Sequence, residues 1–232
     1  MIHKIDAVVL CGGMGKRLRS VIGVKQKTFA DLNGKPFLDI ILSFLKKQGV
    51  RRVILLTGYA AEEIESYYKN NSFGLTISFS REKSPLGTGG AVKNATGLIK
   101  SDPFFLLNGD SFCPVDFKAL LEFHRVNKSA ATIVVSAVKD SRDYGGVLLD
   151  LQNRIMAFVE KQPDTKLKNV NAGIYCLSRQ VLNLMPKKKK HSIEYDLFPK
   201  LIDKNFFGFK TKKKFYDIGT PDRFYLAQKL LT

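Results

Sequence analysis

The chain has 232 residues, 44% hydrophobic and 25% charged, with a formal net charge of +17, which suits one soluble globular domain with a substantial core. No apolar run approaches the roughly 20 residues of a membrane-spanning helix, and the N-terminus lacks the basic region and cleavage site of a secretory signal, so we expect a cytoplasmic protein without a membrane partner. The densest basic runs, 187–190 and 210–214, lack interleaved aromatic residues, which predicts a solvated lysine-rich surface and no specific nucleic-acid partner.

The first half of the chain alternates short apolar strands with amphipathic helices. The predicted strands cover 5–10, 53–57, 75–79 and 104–107, and the predicted helices cover 37–48, 61–69 and 90–99. Helices that separate continuously apolar strands indicate a parallel sheet covered on both faces. Ligands of such sheets bind at the carboxyl ends of the strands, so we expect functional residues in the loops after Leu10 and Leu107.

The second half has more strands and fewer helices. The predicted strands cover 131–138, 146–149, 155–160 and 170–176, followed by amphipathic stretches at 178–184 and 192–202 and a helix at 221–231. The sequence therefore predicts a doubly wound α/β core with a mixed or antiparallel extension. The three cysteines, Cys11, Cys113 and Cys176, are distant from one another and odd in number, and we expect buried free thiols.

The loop after the first strand is rich in glycine and also carries Arg17. Such glycines let the backbone approach a ligand closely and direct N–H groups at an anion. Leu18 stands where a dinucleotide-binding motif needs glycine, and Leu10 where a P-loop needs one. The loop indicates a phosphate site of another kind, with an ordinary glycine-rich turn as the alternative.

Two aspartates follow apolar or aromatic stretches far apart in the chain. Asp110 comes just after the fourth predicted strand, and Asp217 precedes the Thr220-Pro221 start of the last helix. Mg²⁺ prefers oxygen ligands and often takes only one or two from protein. The pair is therefore a candidate metal site, whereas a carboxylate that caps a turn is the alternative for each.

Several segments, in chain order, resemble the motifs of the sugar-1-phosphate nucleotidyltransferase family. They are Gly12-Gly13-x-Gly15-x-Arg17-Leu18 with Lys27 and Gly34-Lys35-Pro36, then Pro85-Leu86-Gly87-Thr88-Gly89, Asn108-Gly109-Asp110, Tyr144-Gly145, Glu160-Lys161, Asn171-Ala172-Gly173-Ile174-Tyr175 and Asp217-Ile218-Gly219-Thr220-Pro221. The resemblance runs from Ile5 to about Gln228. It implies the Rossmann-like nucleotide-diphospho-sugar transferase fold as one domain, 1–232, with a nucleotide-binding half at about 1–115 and a sugar-phosphate-binding half at about 116–232.

The resemblance also implies a role for each matching residue. The catalytic residues would be Arg17, Lys27 and Asp110. The expected cofactor is Mg²⁺, which Asp110 and Asp217 would bind. The nucleotide would contact Leu10, Gly12, Gly13, Gly15, Glu82, Gly87, Thr88, Gly89 and Asn108, with the N-terminus of the helix near Gly89 open toward it. The sugar phosphate would contact Gly145, Glu160, Lys161 and Asn171.

Two departures from the family pattern flank Lys27. Gln26 and Thr28 replace the prolines of the family's P-K-P, so the rigid turn that presents the lysine is expected to be lost, and a solvated loop lysine is the alternative. The three histidines are assigned no role and are expected on surface loops or helix faces; they are His3, His124 and His191.

Within the family the chain looks most like the D-glycero-D-manno-heptose 1-phosphate guanylyltransferases. This implies GTP and a sugar 1-phosphate as substrates, a product used in cell-surface polysaccharide biosynthesis, and a possible homo-oligomer. Glu82 favours guanine, because a carboxylate accepts hydrogen bonds from N1–H and the exocyclic amine; a solvated loop residue is the alternative. Mannose, glucose or N-acetylmuramate 1-phosphate, phosphocholine, and a non-catalytic sugar-nucleotide-binding paralogue remain as alternatives.

Overall fold

The computed structural model describes residues 1–13, 15–23, 26–138, 144–160, 167–187 and 190–231, so Lys161 lies outside the described residues. In chain order, the strands are β1 (Asp6–Leu10), β2 (Asp31–Leu32), β3 (Lys35–Pro36), β4 (Arg52–Thr57), β5 (Thr76–Arg81), β6 (Phe104–Asn108), β7 (Ser111–Phe112), β8 (Ala131–Ala137), β9 (Gly146–Leu149), β10 (Ile155–Val159), β11 (Asn169–Leu177), β12 (Phe206–Thr211) and β13 (Tyr216–Asp217).

The α-helices are α1 (Arg19–Ile22), α2 (Phe37–Lys47), α3 (Ala61–Asn70), α4 (Gly87–Asn94), α5 (Phe117–Val126), α6 (Phe198–Leu201) and α7 (Pro221–Leu230). Short 3₁₀ turns cover Ile2–Lys4, Lys16–Leu18, Lys27–Phe29 and Arg179–Leu184, and a π-helical turn covers Ile193–Leu197. None of the helices in the described part of the chain is long and apolar enough to cross a membrane.

Nine of the described strands form one sheet that contains strands of both halves of the chain. Its first part, β5-β4-β1-β6, is parallel, and β11 then joins β6 in the antiparallel direction. β8 pairs along one edge of β11, and β6 and β9 share the other edge. The β9–β10 pair is antiparallel. The predicted parallel core with a mixed, largely antiparallel extension is confirmed.

Both faces of the sheet are covered, as the continuously apolar strands predict. Along β1, Ala7 and Val9 belong to one buried cluster and Val8 to the other, because successive side chains point to opposite faces. The first cluster packs α2, α3, α5 and α7, whereas the second packs α4, α6 and the Arg179–Leu184 turn. Each side chain of valine size that is fully buried in this way contributes about 1.5–3 kcal/mol to folding.

Two of the longer elements were absent from the sequence prediction, as were α1 and the two-residue strands, and one helix was misplaced. The missed helix α5 begins at Asp116, whose carboxylate caps it by accepting from the N–H groups of Lys118 and Ala119. The missed strand β12 pairs parallel to β8. The predicted helix 90–99 lies at 87–94 instead, because the chain turns after Asn94 while Ala95 and Ile99 stay buried.

The remaining predictions about bulk character agree with the structure. All three cysteines are buried and free. The described lysines of the basic runs are solvent-exposed: Lys187, Lys190, Lys210, Lys212, Lys213 and Lys214. The predicted surface position is wrong for two histidines, since His124 and His191 are 3% and 5% exposed.

Candidate active site

A cleft of about 720 Å³ opens at the carboxyl ends of β1 and β6. The residues predicted from the sequence that line it are Leu10, Gly12, Gly13, Arg17, Lys27, Glu82, Gly87, Thr88, Asn108, Asp110, Gly145, Glu160, Asn171 and Asp217. Gly15 and Gly89 do not belong to its lining. The structure therefore brings together residues from the two halves of the chain at the sheet edge where α/β proteins bind ligands.

We call the part around Gly12, Gly13, Lys27 and Glu82 the glycine-loop end of the cleft. The part around Gly145, Glu160, Asn171 and Glu194 is called the β11 end. Asp110 and Asp217 also line the cleft.

A small ladder places the two aspartates together. In the antiparallel pair β7–β13, Asp217 lies opposite Ser111, the residue that follows Asp110. The backbone N–H of Ile218 donates to the Asp110 carbonyl at 3.1 Å, which extends the pairing by one residue. The two aspartates, about a hundred residues apart in sequence, are thus fixed side by side by backbone hydrogen bonds.

Each aspartate already lies against a cation of the protein. Lys27 Nζ is 2.6 Å from Asp110 Oδ2, and Arg223 Nη1 is 3.1 Å from Asp217 Oδ1. The Tyr144 hydroxyl donates to Asp217 Oδ2 at 2.7 Å, and the guanidinium of Arg223 stacks over the Tyr144 ring at 4.6 Å. Lys27 is 9% exposed, so it is a buried cleft residue and not the solvated loop lysine of the alternative interpretation.

The donor set fits one divalent cation held largely by substrate. Within the described residues, no group of three or more His, Cys, Asp or Glu side chains could hold a metal ion. Two neighbouring carboxylates nevertheless suit Mg²⁺, which is bound through one or two carboxylates plus substrate phosphates in many nucleotide sites. Asp110 and Asp217 are the described residues that would hold it.

The glycine loop lies against the Lys27 turn. Gly15 has φ of +60°, and a Cβ added to it would lie 2.8 Å from the Cβ of Lys27, so glycine is required there by conformation and by space. Gly15 lies outside the lining of the cleft, and its contact with the nucleotide stays a prediction. The prolines missing beside Lys27 are replaced by side-chain hydrogen bonds: Gln26 accepts from the Thr28 N–H at 2.5 Å and caps the Lys27–Phe29 turn.

Glu82 lies across the glycine-loop end from the loop itself. Its Oε2 accepts from the Leu86 N–H at 3.0 Å, and its Oε1 faces the backbone of Gly12 and Gly58 closely enough that a Cβ on Gly58 would lie 2.7 Å away. Burial raises the pKa of the Glu82 carboxyl above its usual value, although the bond from Leu86 opposes this. Glu82 is thus a structured cleft residue, which argues against a solvated loop position.

The N-terminus of α4 is less open than predicted, because two of its N–H groups are bound within the protein, although Gly87 and Thr88 line the cleft. The His191 carbonyl accepts from the N–H groups of Gly89 and Gly90 at 2.8 and 3.1 Å and so caps the helix with backbone. A Cβ on Gly89 would overlap the His191 ring, and one on Gly87 would lie 2.6 Å from its carbonyl oxygen. These glycines accommodate the 191–194 segment, and the Thr88 hydroxyl donates to Glu194 at 2.8 Å.

At the β11 end, a bulge in β11 forms the polar wall. The register shifts between Asn171 and Tyr175, and Gly173 has φ of +70°. Asn171 bridges the bulge: Oδ1 accepts from the Gly173 N–H at 2.9 Å, and Nδ2 donates to the Tyr175 hydroxyl at 2.8 Å. Burial, and next the charge of Glu194, raises the pKa of that hydroxyl, so it stays protonated.

Sequence analysis missed several residues of the lining. Tyr144 belongs to the Tyr144-Gly145 motif, which predicts no role for the tyrosine, and Gln26 stands out in the sequence only as a departure from proline. Arg223 and Glu194 carried no motif signal, although Arg223 lies in the first turns of the predicted last helix, two residues beyond Pro221. The lining residues without a role predicted from the sequence include Gln26, Thr28, Tyr144, Glu194 and Arg223.

Comparison with known proteins agrees with the class that this fold and site define. The chain matches the nucleotidyl transferase family over residues 6–232, and it therefore belongs to that family. It is 38% identical over 228 residues to the D-glycero-alpha-D-manno-heptose 1-phosphate guanylyltransferase of Aneurinibacillus thermoaerophilus, with 98% of each chain covered. It is 36% identical to the mannose-1-phosphate guanylyltransferase of Mycobacterium tuberculosis, covering 96% of this chain and 63% of that protein.

A solved structure shows the same fold along the full chain. HddC from Yersinia pseudotuberculosis, complexed with GMP-PN, matches with a TM-score of 0.87 at 35% identity, covering 98% of this chain and 100% of that one. The predicted family and fold are confirmed.

Proposed function

We propose that the protein transfers a guanylyl group from GTP to D-glycero-α-D-manno-heptose 1-phosphate and releases pyrophosphate. The observation that carries the reaction class is the meeting of Lys27, Asp110 and Asp217 at one point of the cleft. The choice of substrates is supported by the 38% identity to the named heptose 1-phosphate guanylyltransferase over 98% of both chains. We assign the reaction to the cytoplasm and its product to cell-surface polysaccharide biosynthesis, as the family resemblance implies.

The proposed step is an in-line displacement at phosphorus. A phosphate oxygen of the sugar 1-phosphate forms a bond to the α-phosphorus of GTP, while the bond from that phosphorus to the bridging oxygen breaks and its electron pair leaves with pyrophosphate. Because the attacking oxygen is already anionic, no general base is needed, and rate acceleration comes from positioning and charge neutralisation. This accords with the described lining of the cleft, which holds the ion pairs Lys27–Asp110 and Arg223–Asp217 and contains no histidine.

The protein's own cations would neutralise the leaving group. Lys27 lies beside Asp110 and Arg17 lines the same end of the cleft, so both are within the glycine-loop end where a triphosphate would enter. Bound Mg²⁺, held by Asp110 and Asp217, would supply positive charge at the phosphate oxygens. Arg223 and Tyr144 fix the orientation of Asp217 through its two oxygens and keep it directed into the cleft.

Glu82 supplies the preference for guanine in this proposal. Guanine presents N1–H and an exocyclic amine on one edge, and an ionised carboxylate can accept from both, whereas adenine offers no such pair. The half-buried carboxylate opposite the Gly12 backbone, with Oε2 held by the Leu86 N–H, is suitably fixed for that contact.

The β11 end supplies polar groups for the sugar. Glu160 and Asn171 line it together with Glu194, and a Cβ on Gly145 would lie 2.7 Å from Glu160 Oε2. Carboxylate and amide groups of this kind accept from and donate to sugar hydroxyls. Lys161, proposed for the sugar phosphate, lies outside the described residues.

The test is a matrix of four nucleoside triphosphates against a panel of sugar 1-phosphates, scored by pyrophosphate release with Mg²⁺ present. We expect GTP with the manno-configured heptose 1-phosphate to give the highest kcat/KM. In the variant Glu82→Gln, the preference for GTP over the other triphosphates should fall by about 10- to 100-fold, because one acceptor is replaced by a donor.

Each outcome of the matrix has a defined meaning. UTP or dTTP exceeding GTP by tenfold with every sugar would remove the guanylyl assignment and leave the nucleotidyl transfer intact. Mannose 1-phosphate as the best acceptor would support a second candidate function, mannose-1-phosphate guanylyl transfer. This candidate is suggested by the similarity to the mycobacterial mannose-1-phosphate guanylyltransferase. No pyrophosphate with any pair would contradict the proposed function altogether.

A further inference from the structure

Gln26 is a fully buried amide in the wall of the cleft, and the proposed reaction does not use it directly. Its side chain is 0% exposed, and it lies between the glycine loop and the turn that carries Lys27. A glutamine amide has two N–H donors and two acceptor lone pairs, which sets its capacity at four hydrogen bonds. All four are made here, each to a different atom of a neighbouring segment.

The acceptor side of the amide closes the Lys27 turn. Oε1 accepts from the Thr28 N–H at 2.5 Å and from the Thr28 hydroxyl, so the side chain caps the 3₁₀ turn from the residue that precedes it. This bond satisfies a backbone donor that has no partner within the turn. The backbone on both sides of Lys27 is therefore held by one side chain.

The donor side of the amide ties that turn to the glycine loop. Nε2 donates to the carbonyl oxygens of Cys11 and of Gly13, the latter at 3.2 Å. The carbonyl of the intervening Gly12 accepts from the Tyr59 N–H at 3.4 Å. The carbonyls of Cys11, Gly12 and Gly13 are thus bound by the protein, so these three do not have to turn toward an anionic ligand.

These bonds leave Lys27 little freedom. Its stem packs against Gly15, where a Cβ would be 2.8 Å from the lysine Cβ, and its ammonium lies 2.6 Å from Asp110. We propose that Gln26 is the positioning residue for Lys27: its amide, in place of the prolines of the family pattern, fixes the lysine and the glycine loop to each other. The expected loss of activity rests on the proposed nucleotidyl transfer, whereas the expected displacement of Lys27 does not.

The test compares Gln26→Met, which keeps the length and volume of the side chain and removes its hydrogen bonds, with Gln48→Met. Gln48 is a matched control because its amide accepts from the Phe117 N–H at 3.2 Å and does not line the cleft. We expect Gln26→Met to lower kcat/KM for GTP by about 30- to 100-fold, since misplacing a catalytic group by about 1 Å costs on that order. The KM for the sugar phosphate should change less than twofold, and Gln48→Met should retain wild-type kinetics.

A double-mutant cycle separates positioning from general support of the fold. In the background Lys27→Met, adding Gln26→Met should change turnover less than twofold, because the residue that it positions is already gone. A further loss as large as in the wild-type background would overturn the proposal, as would Gln26→Met with wild-type kinetics. If Gln26→Met does not fold, Thr28→Val, which removes only the hydroxyl bond, decides the same cycle with an expected loss of about 3- to 10-fold in kcat/KM for GTP.

Crystal structures of the wild type and of Gln26→Met (or Thr28→Val) give a readout that does not need activity. We expect Lys27 Nζ to leave hydrogen-bond distance of Asp110 in the variant. A Lys27–Asp110 contact that stays unchanged would overturn the inference. Should the wild type release no pyrophosphate with any substrate pair, the proposed function fails, and the structures alone decide the role of Gln26.

Discussion

At the glycine-loop end of the cleft, two of the three contributing segments directly follow parallel strands, whereas the β11 end is formed by paired antiparallel strands and a π-helical turn. Gly12 and Gly13 follow β1, and Glu82 follows β5 by one residue. At the β11 end, Asn171 projects from a bulge in an antiparallel strand, and Glu194 comes from a π-helical turn bound to Thr88.

This difference has a consequence for how each end is held. At the glycine-loop end, loop carbonyls and a capped turn fix backbone, so contacts with a ligand depend on main-chain position as well as on side chains. At the β11 end, side chains such as Asn171 hold the bulge and line the cleft at once. We therefore expect substitutions at the first end to act on GTP and those at the second to act on the sugar phosphate.

The largest effect is expected where the aspartates meet. Asp110→Asn and Asp217→Asn should each lower kcat by about 10³-fold, because charge stabilisation by a bound metal is worth several kcal/mol. Activity of the wild type should require a divalent cation, with pyrophosphate release measured after chelation and after adding back Mg²⁺. Turnover near that of the wild type in either variant would remove the metal assignment. Binding of Mn²⁺ followed by electron paramagnetic resonance should weaken in both variants and not in the surface control Asp222→Asn.

The substitution Lys27→Met is expected to have the next largest effect, and this effect should concern only one of the two substrates. The substitution keeps the apolar stem that packs on Gly15 and removes the ammonium, so kcat/KM for GTP should fall by about 10²-fold, as for loss of one preorganised group that stabilises the transition state. The KM for the sugar phosphate should stay within about twofold. An isolated rise in that second KM would place Lys27 at the acceptor instead and would break the division between the two ends.

Glu160→Gln is the reciprocal test at the β11 end. The change keeps the shape of the side chain and removes one accepting oxygen and the charge, so the KM for the sugar phosphate should rise by about tenfold, as for a lost hydrogen bond to a charged group. The KM for GTP should be unaffected, because Glu160 lies beside Gly145 at the β11 end. Steady-state kinetics with each substrate varied in turn give both values, and equal effects on the two would contradict separate ends.

The same contrast explains how far the sequence could be read. The loops after Leu10 and Leu107 were located because a strand that ends in glycine or aspartate is a local pattern, and the parallel core follows from apolar strands separated by helices. The missed helix α5 also had a local signal, the Asp116 cap before an apolar face. In contrast, the cap of α4 by the His191 carbonyl depends on a segment about a hundred residues away, which no local pattern reports.

Gln26 shows most clearly what the sequence alone could not predict. In the sequence it is a missing proline, and the expectation was a loosened turn beside Lys27. The structure holds the turn with a saturated amide, because a polar side chain can fix backbone as well as a ring can when all its hydrogen bonds are made. Which polar residue does so depends on carbonyls supplied by another loop, so only the folded chain reveals it.

The smallest expected effect concerns stability in the part of the fold that carries the β11 end. His124 of α5 is buried, with Nδ1 2.9 Å from the Thr132 hydroxyl and Nε2 3.2 Å from that of Ser178. Burial lowers its pKa from 6.5 to about 4, with a smaller opposing effect of Asp102 and a reinforcing one of Arg125. The neutral ring is therefore favoured by folding, because the charged ring would lose its hydration.

The sign of the pH dependence follows from that depressed pKa. The unfolded chain takes up the His124 proton near pH 6.5 and the folded chain only near 4, so this stability is complete above 6.5 and is lost as pH falls from 6.5 toward 4. Between pH 8 and 5.5 the loss from this residue should be on the order of 1 kcal/mol in the free energy of unfolding, measured by urea denaturation. His124→Asn should abolish that part of the slope, whereas the exposed control His3→Asn should keep it. An unchanged slope in His124→Asn would mean that the ring titrates alike in both states and that its burial does not shape the acid sensitivity of this half.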